Sequence, residues 1–461
     1  MDLVVFVSYP VEASITAVAR GLEILENIDR VVLVSTPEWR DIVSDIARCL
    51  SGLVKVDTFT EFRDPLVDPR GYSLESSLSY LSNIVSEGSC VAISSGSRLE
   101  VASALLASRP RCVLYVAFGW GPWRGAFYPF TPRPLETAYL YGECLARIRV
   151  DEQLVSELGK RFASLIPKLA GDIPVLRRRV LETQLEINKL IEDPLATPSK
   201  APPQPPRCPP LSISIGCRGF NASTYVSNYC SPTEMISKIG ALAREALQKI
   251  DSALLNRAAS DELSLASTIL RLSGIATLAL GNTLLVDAVK RLRQAVAIDT
   301  NVVYGGLHTQ LHDSPEAAKH IVYPICIDLE LYTKVTHATG LKTIEAELAL
   351  HAAEEIKSSV KAIDYSATYT PCEVSLYLSK HSIATTDKKA YERLLSKRGN
   401  EAHLLQHKPL NTIEMKPSYT LRKASYAYYA TTQLTAIAKT IKNATRGHLR
   451  IDIRLGNKQL A

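Results

Sequence analysis

Ala295–Asn301 reads A-V-A-I-D-T-N, and the interpretation of this chain turns on it. A short apolar run of strand character passes directly into an acid, a hydroxyl and an amide. In an open α/β sheet the carboxyl ends of the strands border the ligand crevice, so Asp299 would point into a site. The same aspartate would also serve as an N-cap for a following helix. The arrangement recurs downstream: S-I-A-T-T-D (Ser382–Asp387) ends a strand, and K-K-A-Y-E-R-L-L (Lys388–Leu395) begins a helix. Asp387 therefore carries the same pair of readings.

Between these strand ends, P-I-C-I-D-L-E-L-Y-T-K-V (Pro324–Val335) places Asp328 and Glu330 in apolar surroundings, and P-C-E-V-S-L-Y-L-S (Pro371–Ser379) does so for Glu373. Burying a carboxylate without a partner costs several kcal/mol or forces protonation, so acids in such runs face a cation, a metal or water. Hard divalent cations such as Mg²⁺ and Mn²⁺ take oxygen ligands, which converging carboxylates supply. A metal held there would generate hydroxide and stabilise charge during attack on a phosphodiester. Thr300, Asn301, Thr385 and Thr386 could orient the acids or a water. His308, His312, His320 and His337 lie nearby with a spacing that fits no metal motif, and are read as surface or core residues.

The order I-D-T-N (Ile298–Asn301), L-E-L (Leu329–Leu331), C-E-V-S-L-Y-L (Cys372–Leu378) and A-T-T-D-K-K-A-Y-E-R-L (Ala384–Leu394) resembles the PIN-domain nucleases over about residues 295–410. The resemblance implies an α/β/α fold, a Mg²⁺ or Mn²⁺ site and cleavage of single-stranded RNA. By matching positions it implies Asp299, Glu330, Glu373 and Asp387 as the catalytic and metal-binding acids. Glu373 departs from the more usual aspartate of the family, and Asp364 is a rival for that place.

Working outward, the first 145 residues alternate strand-like runs at Leu3–Ser8, Val31–Ser35, Cys90–Ser95 and Cys112–Phe118 with amphipathic segments at Ala13–Asn27, Pro37–Leu50, Leu74–Glu87 and Arg98–Ser108. That alternation implies an N-terminal Rossmann-like, doubly wound parallel sheet. Residues 146–196 read as a helical connector. The prolines of T-P-S-K-A-P-P-Q-P-P-R-C-P-P (Thr197–Pro210) remove backbone donors and mark a linker. Residues 211–294 read as a helical region, with stripes over Leu263–Leu280 and Leu284–Leu292; Leu211–Cys230 suggests one short strand and no more. Residues 295–461 then form the PIN-like α/β unit with a basic C-terminal extension. The fold class expected is α/β throughout, with a helical middle.

The turn after the first strand, Ser8–Tyr9–Pro10, lacks a dinucleotide fingerprint. After Cys90–Ile93, the run Ser94, Ser95, Gly96, Ser97, Arg98 opens a helix, where backbone donors and the guanidinium could cradle phosphate. Their position resembles the CRISPR-associated Rossmann (CARF) sensor domains, over about residues 1–145. That resemblance implies a homodimer that binds a cyclic oligoadenylate through Ser8, Tyr9, Ser95, Gly96, Ser97 and Arg98, and gates an attached nuclease in type III CRISPR antiviral defence. In F-G-W-G-P-W-R-G-A-F-Y-P-F-T-P-R-P (Phe118–Pro134), Trp120, Trp123, Arg124, Phe127, Tyr128 and Arg133 either stack on a base or form a packed loop.

With 461 residues, 46% hydrophobic and 22% charged, the chain has the composition of a folded protein of several domains, and neither a disordered nor a fibrous one. The N-terminus lacks a basic leader region, and no run of about 20 apolar residues spans a bilayer, so a cytoplasmic protein without membrane contact is expected. The net charge of +6 is concentrated after Asp387, where lysines and arginines far outnumber acids, as a polyanionic partner requires. The nine cysteines include no C-x-x-C pair; Cys208, Cys217 and Cys230 are expected as reduced thiols, bridged only in a hyperthermophile. The reading is thus a ligand-gated endoribonuclease. A constitutive toxin-like or RNA-processing nuclease and a non-enzymatic nucleic-acid-binding regulator are its rivals.

Overall fold

Strand character is densest at the N-terminus, where the valines, leucines and phenylalanine of β1 (Asp2–Phe6) are all buried. The computed structural model describes the chain except residues 64–73, 148–149, 171–172, 192–196, 199–207, 256–259, 293, 364–371, 399–400 and 416–419, and the side chains of 170, 197–198, 254–255, 373–374 and 398. The described chain separates into two compact units. The first comprises Met1–Phe118, Gly125–Asp172 and Gln184–Cys208; the second comprises Pro209–Ala461 with Gly119–Arg124 and Ile173–Thr183. Among the described residues no helix is long and apolar enough to cross a membrane.

In the first unit β1 is followed by β2 (Arg30–Val34), β3 (Lys55–Phe59), β4 (Cys90–Ala92), β5 (Cys112–Phe118), β6 (Glu136–Gly142) and β7 (Thr197–Pro198), in the sheet order β3-β2-β1-β4-β5-β6-β7. The strands β1 to β5 are mutually parallel, with helices Val11–Ile24, Arg40–Leu50, Leu74–Ser82 and Arg98–Ser108 between them in the chain. A core of Val4, Phe6, Val32, Val34, Leu81 and Val91 forms against the sheet. Three strands escape the sequence pattern, among them the two-residue β7, which opens the stretch expected as a linker. In β3 the apolar residues are only part-buried, and β6, antiparallel to β5, alternates buried positions with exposed Tyr139 and Tyr141, as a strand with one wet face does.

The Phe118–Pro134 segment takes the packed-loop alternative, not the base-stacking one. Trp123, Phe127, Tyr128 and Arg133 are buried, because the apolar rings remove more surface from water inside than at a binding face. The Arg133 guanidinium donates to Glu23 and to the Tyr128 hydroxyl (2.9 Å), while Arg20 donates to Glu23 (2.8 Å) and lies 3.6 Å from the Glu136 carboxylate, so two buried arginines face two buried acids.

Among the described residues the second unit contains three sheets. Strands β8 (Leu211–Cys217) and β9 (Phe220–Val226) form a hairpin, where the sequence suggested one short strand; the alternation of I-S-I with polar neighbours is the signal of a half-exposed sheet. The expected helix over Leu263–Leu280 stops at Leu272, and Ala276–Leu280 becomes strand β10, which pairs with β11 (Thr283–Leu284). Gly274, at φ +80°, makes the break, a left-handed conformation that glycine adopts without cost. Strand β12 (Val296–Ile298) begins a parallel sheet with β13 (Ile321–Pro324), β14 (Lys361–Ile363), β15 (Ser382–Thr385) and β16 (Ala402–Leu404), ordered β14-β13-β12-β15-β16.

The basic C-terminal segment is no appended tail. Strand β17 (Gln406–Pro409) pairs with β10, β18 (Leu449–Leu455) pairs with β8 and with β19 (Lys458–Gln459), and helix Thr420–Ile441 is buried on nearly every side from Ala424 to Ala438. Its alanines, tyrosines and threonines make that possible, the threonine hydroxyls bonding back to carbonyls one turn earlier, as Thr431 does to Ala427 (2.9 Å). Arg422 is spent internally on Asp287 (3.0 Å) and Asp313.

Cysteine pairing overturns the expectation of reduced thiols for Cys208 and Cys230, while Cys217 is free as expected. Cys112–Cys144 and Cys326–Cys372 are disulfides, Cys208 and Cys230 are disulfide-bonded, and Cys49, Cys90 and Cys217 are free. Sequence spacing alone does not reveal such pairs, which depend on Cα atoms brought close by the fold.

Candidate functional site

The strand order places the chain's switch in direction between β12 and β15, and Asp299 and Asp387 follow those two strands. Asp299 is 6% exposed. Its Oδ1 accepts from the Thr300 amide (2.7 Å), and its Oδ2 accepts from the Thr385 hydroxyl (2.8 Å) and the Asn301 side-chain amide (3.1 Å). Burial pushes its carboxyl above the usual range and the nearby Glu330 carboxylate adds to this, opposed by those donors.

Helix Cys326–His337 brings Glu330 to the same place. Thr300 bridges the two acids: its amide bonds Asp299 while its hydroxyl donates to Glu330 Oε2 (2.9 Å). The Cys372 amide donates to the same Oε2 (3.2 Å), and Lys334, one turn along the helix, pairs with Oε1 (2.8 Å). Burial acts to raise Glu330, but Lys334 and the donors outweigh it and hold the carboxyl below its ordinary value. The Cys326–Cys372 disulfide joins the start of this helix to the start of helix Cys372–Tyr377, which carries Glu373. The Glu373 side chain and the rival Asp364 lie outside the described residues.

Asp387 reaches the cluster through its backbone: its amide donates to the Thr385 hydroxyl (3.1 Å), which in turn donates to Asp299. Its own carboxylate caps helix Lys388–Arg398, accepting from the amides of Lys389 (2.7 Å) and Ala390 (3.2 Å). Thr386 donates to the Asn301 carbonyl (3.4 Å). Asp328, the other acid of that apolar run, faces elsewhere, to Tyr323 (2.7 Å) and Lys357 (2.6 Å). Among the described residues no group of His, Cys, Asp and Glu side chains is gathered closely enough to hold a metal ion by three or more ligands. The donor set at Asp299 and Glu330 is nonetheless all oxygen, the chemistry a hard divalent cation takes.

Lys334 is the functional neighbour that sequence reading passed over. Its position four residues after Glu330 on a helix is a legible ion-pair spacing. His308 is buried and His312 part-buried, 3.0 Å from Glu355; desolvation presses His308 down to about 4 and His312 well below its usual value. His337 is exposed and His320 part-exposed.

In the first unit the turns after β1 and β4 also meet at a switch in strand order. The Gly96 amide donates to Ser8 Oγ (3.1 Å), and Gly96 approaches Phe6 so closely that a Cβ would lie 2.8 Å from Phe6 Cβ. Ser97 caps helix Arg98–Ser108, accepting from the Glu100 amide (3.2 Å), while Glu100 accepts from the Ser97 amide. The Gly96 and Ser97 amides, expected as phosphate donors, are thus already engaged, and a carboxylate occupies the helix start. Ser95 is buried with an unpartnered hydroxyl, whereas Tyr9 and Arg98 are exposed.

Compared with known proteins, the chain matches no family model, no curated protein and no solved structure.

Proposed function

We propose that the second unit is a metal-dependent endoribonuclease of PIN type, acting on single-stranded RNA through the crevice between β12 and β15. The observation that carries this reading is the Thr300 bridge, which holds two carboxylates, Asp299 and Glu330, beside one another at the carboxyl ends of a parallel sheet. Asp299 and Glu330 would hold Mg²⁺ or Mn²⁺, with Glu373 and Asp387 completing the set. The bound ion supplies an activated water and charge stabilisation at the phosphodiester. Thr385 and Asn301 keep both Asp299 oxygens oriented, and Lys334 balances Glu330 until a cation arrives. Beyond Asp387, exposed Lys389, Arg393 and Lys397 recur along one face of helix Lys388–Arg398, a track for phosphates leading from the acids.

The first unit, in this reading, is a Rossmann-like sensor of CARF type for a cyclic oligoadenylate. The exposed Tyr9 and Arg98 beside Ser8, Ser95, Gly96 and Ser97 would meet it, in a cytoplasmic homodimer serving type III CRISPR defence. Gating requires that the nucleotide bind the active and inactive states with different affinity.

The test is cleavage of labelled single-stranded RNA with Mn²⁺, with and without cyclic oligoadenylates, for the wild type and Asp299→Ala. Cleavage that needs metal and nucleotide and is lost in the variant is the expected result. Cleavage independent of nucleotide would leave a constitutive nuclease. RNA binding without cleavage would replace the enzyme by a regulator.

A further inference from the structure

A cleft in the second unit opens beside the candidate acids without containing them. It encloses about 670 Å³, within the range of small-ligand pockets. It touches the site at two points: Asn301, whose amide bonds Asp299, and Lys334, whose ammonium pairs with Glu330. Anything seated in the cleft is therefore contiguous with whatever meets Asp299.

Its walls combine two chemistries. Ile250, Leu263 and the ring of Tyr304 offer flat and apolar surface, with Lys334 Nζ 5.2 Å from the Tyr304 ring centre. Arg271 supplies a cation that the protein leaves unsatisfied: its Nε is buried without a hydrogen bond, and among the described residues the guanidinium forms no ion pair. Asp251 and Glu345 are near enough to favour its charge, yet burial prevails and holds it below its usual value. Glu345 itself is occupied by the hydroxyls of Thr268 (2.6 Å) and Ser264 (3.1 Å). A buried guanidinium stays charged, and leaving it unpaired is costly unless an anion completes it. A planar apolar wall next to an anion-seeking arginine fits a nucleobase joined to a phosphate.

We propose that this cleft binds one nucleotide of a single-stranded RNA, the one adjoining the phosphodiester presented to Asp299, with its phosphate on Arg271 and its base against Tyr304. The strand placement rests on the nuclease reading above; the mononucleotide site itself does not.

The experiment is titration calorimetry of the full chain, in EDTA, with each nucleoside 5′-monophosphate and with a trinucleotide RNA. The wild type is expected to bind both, the trinucleotide about tenfold more tightly. Arg271→Met should weaken both by about tenfold. Ala338→Trp, which fills the cleft from its rim, should abolish binding. Because Arg271 is largely buried, circular dichroism confirms folding of that variant, and Ala338→Trp, at a part-exposed position, tests the cleft independently. Failure of the wild type to bind mononucleotides, or binding that neither variant alters, would overturn the site; equal affinity for mononucleotide and trinucleotide would overturn the strand placement. Mononucleotide binding by a protein that cleaves no RNA would retain the cleft and reject the nuclease, and RNA cleavage without mononucleotide binding would do the reverse.

Discussion

Two parallel sheets in this chain share one strand order and end in opposite chemistry. In β3-β2-β1-β4-β5 and in β14-β13-β12-β15-β16, the first strand lies central, the next two go to one side and the last two to the other. Both therefore open a crevice where the order reverses. At the first, hydroxyls, a glycine and Arg98 gather, and the amide donors close on one another. At the second, two carboxylates share the donors of Thr300, and the hydroxyl of Thr385 joins the two strand ends. The backbone topology fixes where a ligand would go; the residues that follow each strand decide its charge. An anion is compatible with the first crevice and a cation with the second.

The largest effect should come from the acids. Asp299→Ala should lower RNA cleavage by a factor on the order of 10³ or more, with or without nucleotide, as loss of a principal ligand in a metal-assisted hydrolysis does. Ser97→Ala and Arg98→Ala, at the matching position of the other sheet, should change only the nucleotide concentration at half-activation. Initial rates over a nucleotide titration check both, and a comparable collapse in cleavage from Arg98→Ala would erase the distinction between the crevices.

The units also bury charge differently. The first has no histidine and sets Arg20 and Arg133 against Glu23 and Glu136, whereas all nine histidines lie in the second. His308 is buried beside Gln433, and burial holds it at about 4 against an ordinary 6.5. Above 6.5 neither folded nor unfolded chain protonates there. Between 6.5 and 4 only the unfolded chain does, so stability falls as pH falls through that window and levels off below it. The contribution of His308 is about 3 kcal/mol at most. Thermal melts from pH 7 to pH 4 should show the second unit losing stability, with His308→Gln flattening the slope. A slope unchanged in the variant would mean that His312 and His407, part-buried and also shifted down, carry the effect.

Gly96→Ala probes the first crevice in the same terms. At φ +96° and with Phe6 Cβ 2.8 Å from the added atom, alanine should cost about 1–3 kcal/mol, read as a lower melting temperature of the first unit alone.

How much of this was legible in the sequence follows from local pattern against long-range pairing. Runs such as Cys112–Phe118 and Arg98–Ser108 coincide with their elements because β-branched continuity and a serine–glutamate capping box are local signals. The strand-end position of Asp299 and Asp387 was readable for the same reason. What escaped was nonlocal. Strands β8 and β18 lie more than two hundred residues apart and pair along their whole length, so neither a helical middle nor a basic tail describes that segment. The Cys326–Cys372 link, and the cap that engages the Asp387 carboxylate, likewise depend on where the fold brings groups together.

The finest distinction is Lys334. Among the described residues of the second crevice it is the one cation paired with a candidate ligand, and it holds Glu330 low against a burial that would raise it. Lys334→Met removes that support, so the Glu330 carboxyl should rise, and the acid limb of the cleavage profile should move to higher pH. Above that limb the carboxylate is ionised in both proteins. Metal affinity there should increase, because the cation no longer displaces an ammonium from Oε1. The pH profile and a Mn²⁺ titration at pH 8 read the two effects separately. An acid limb that stays put while Mn²⁺ affinity falls would mean that Lys334 faces the substrate phosphate instead of guarding the acid, and the cation of the second crevice would then belong to substrate binding.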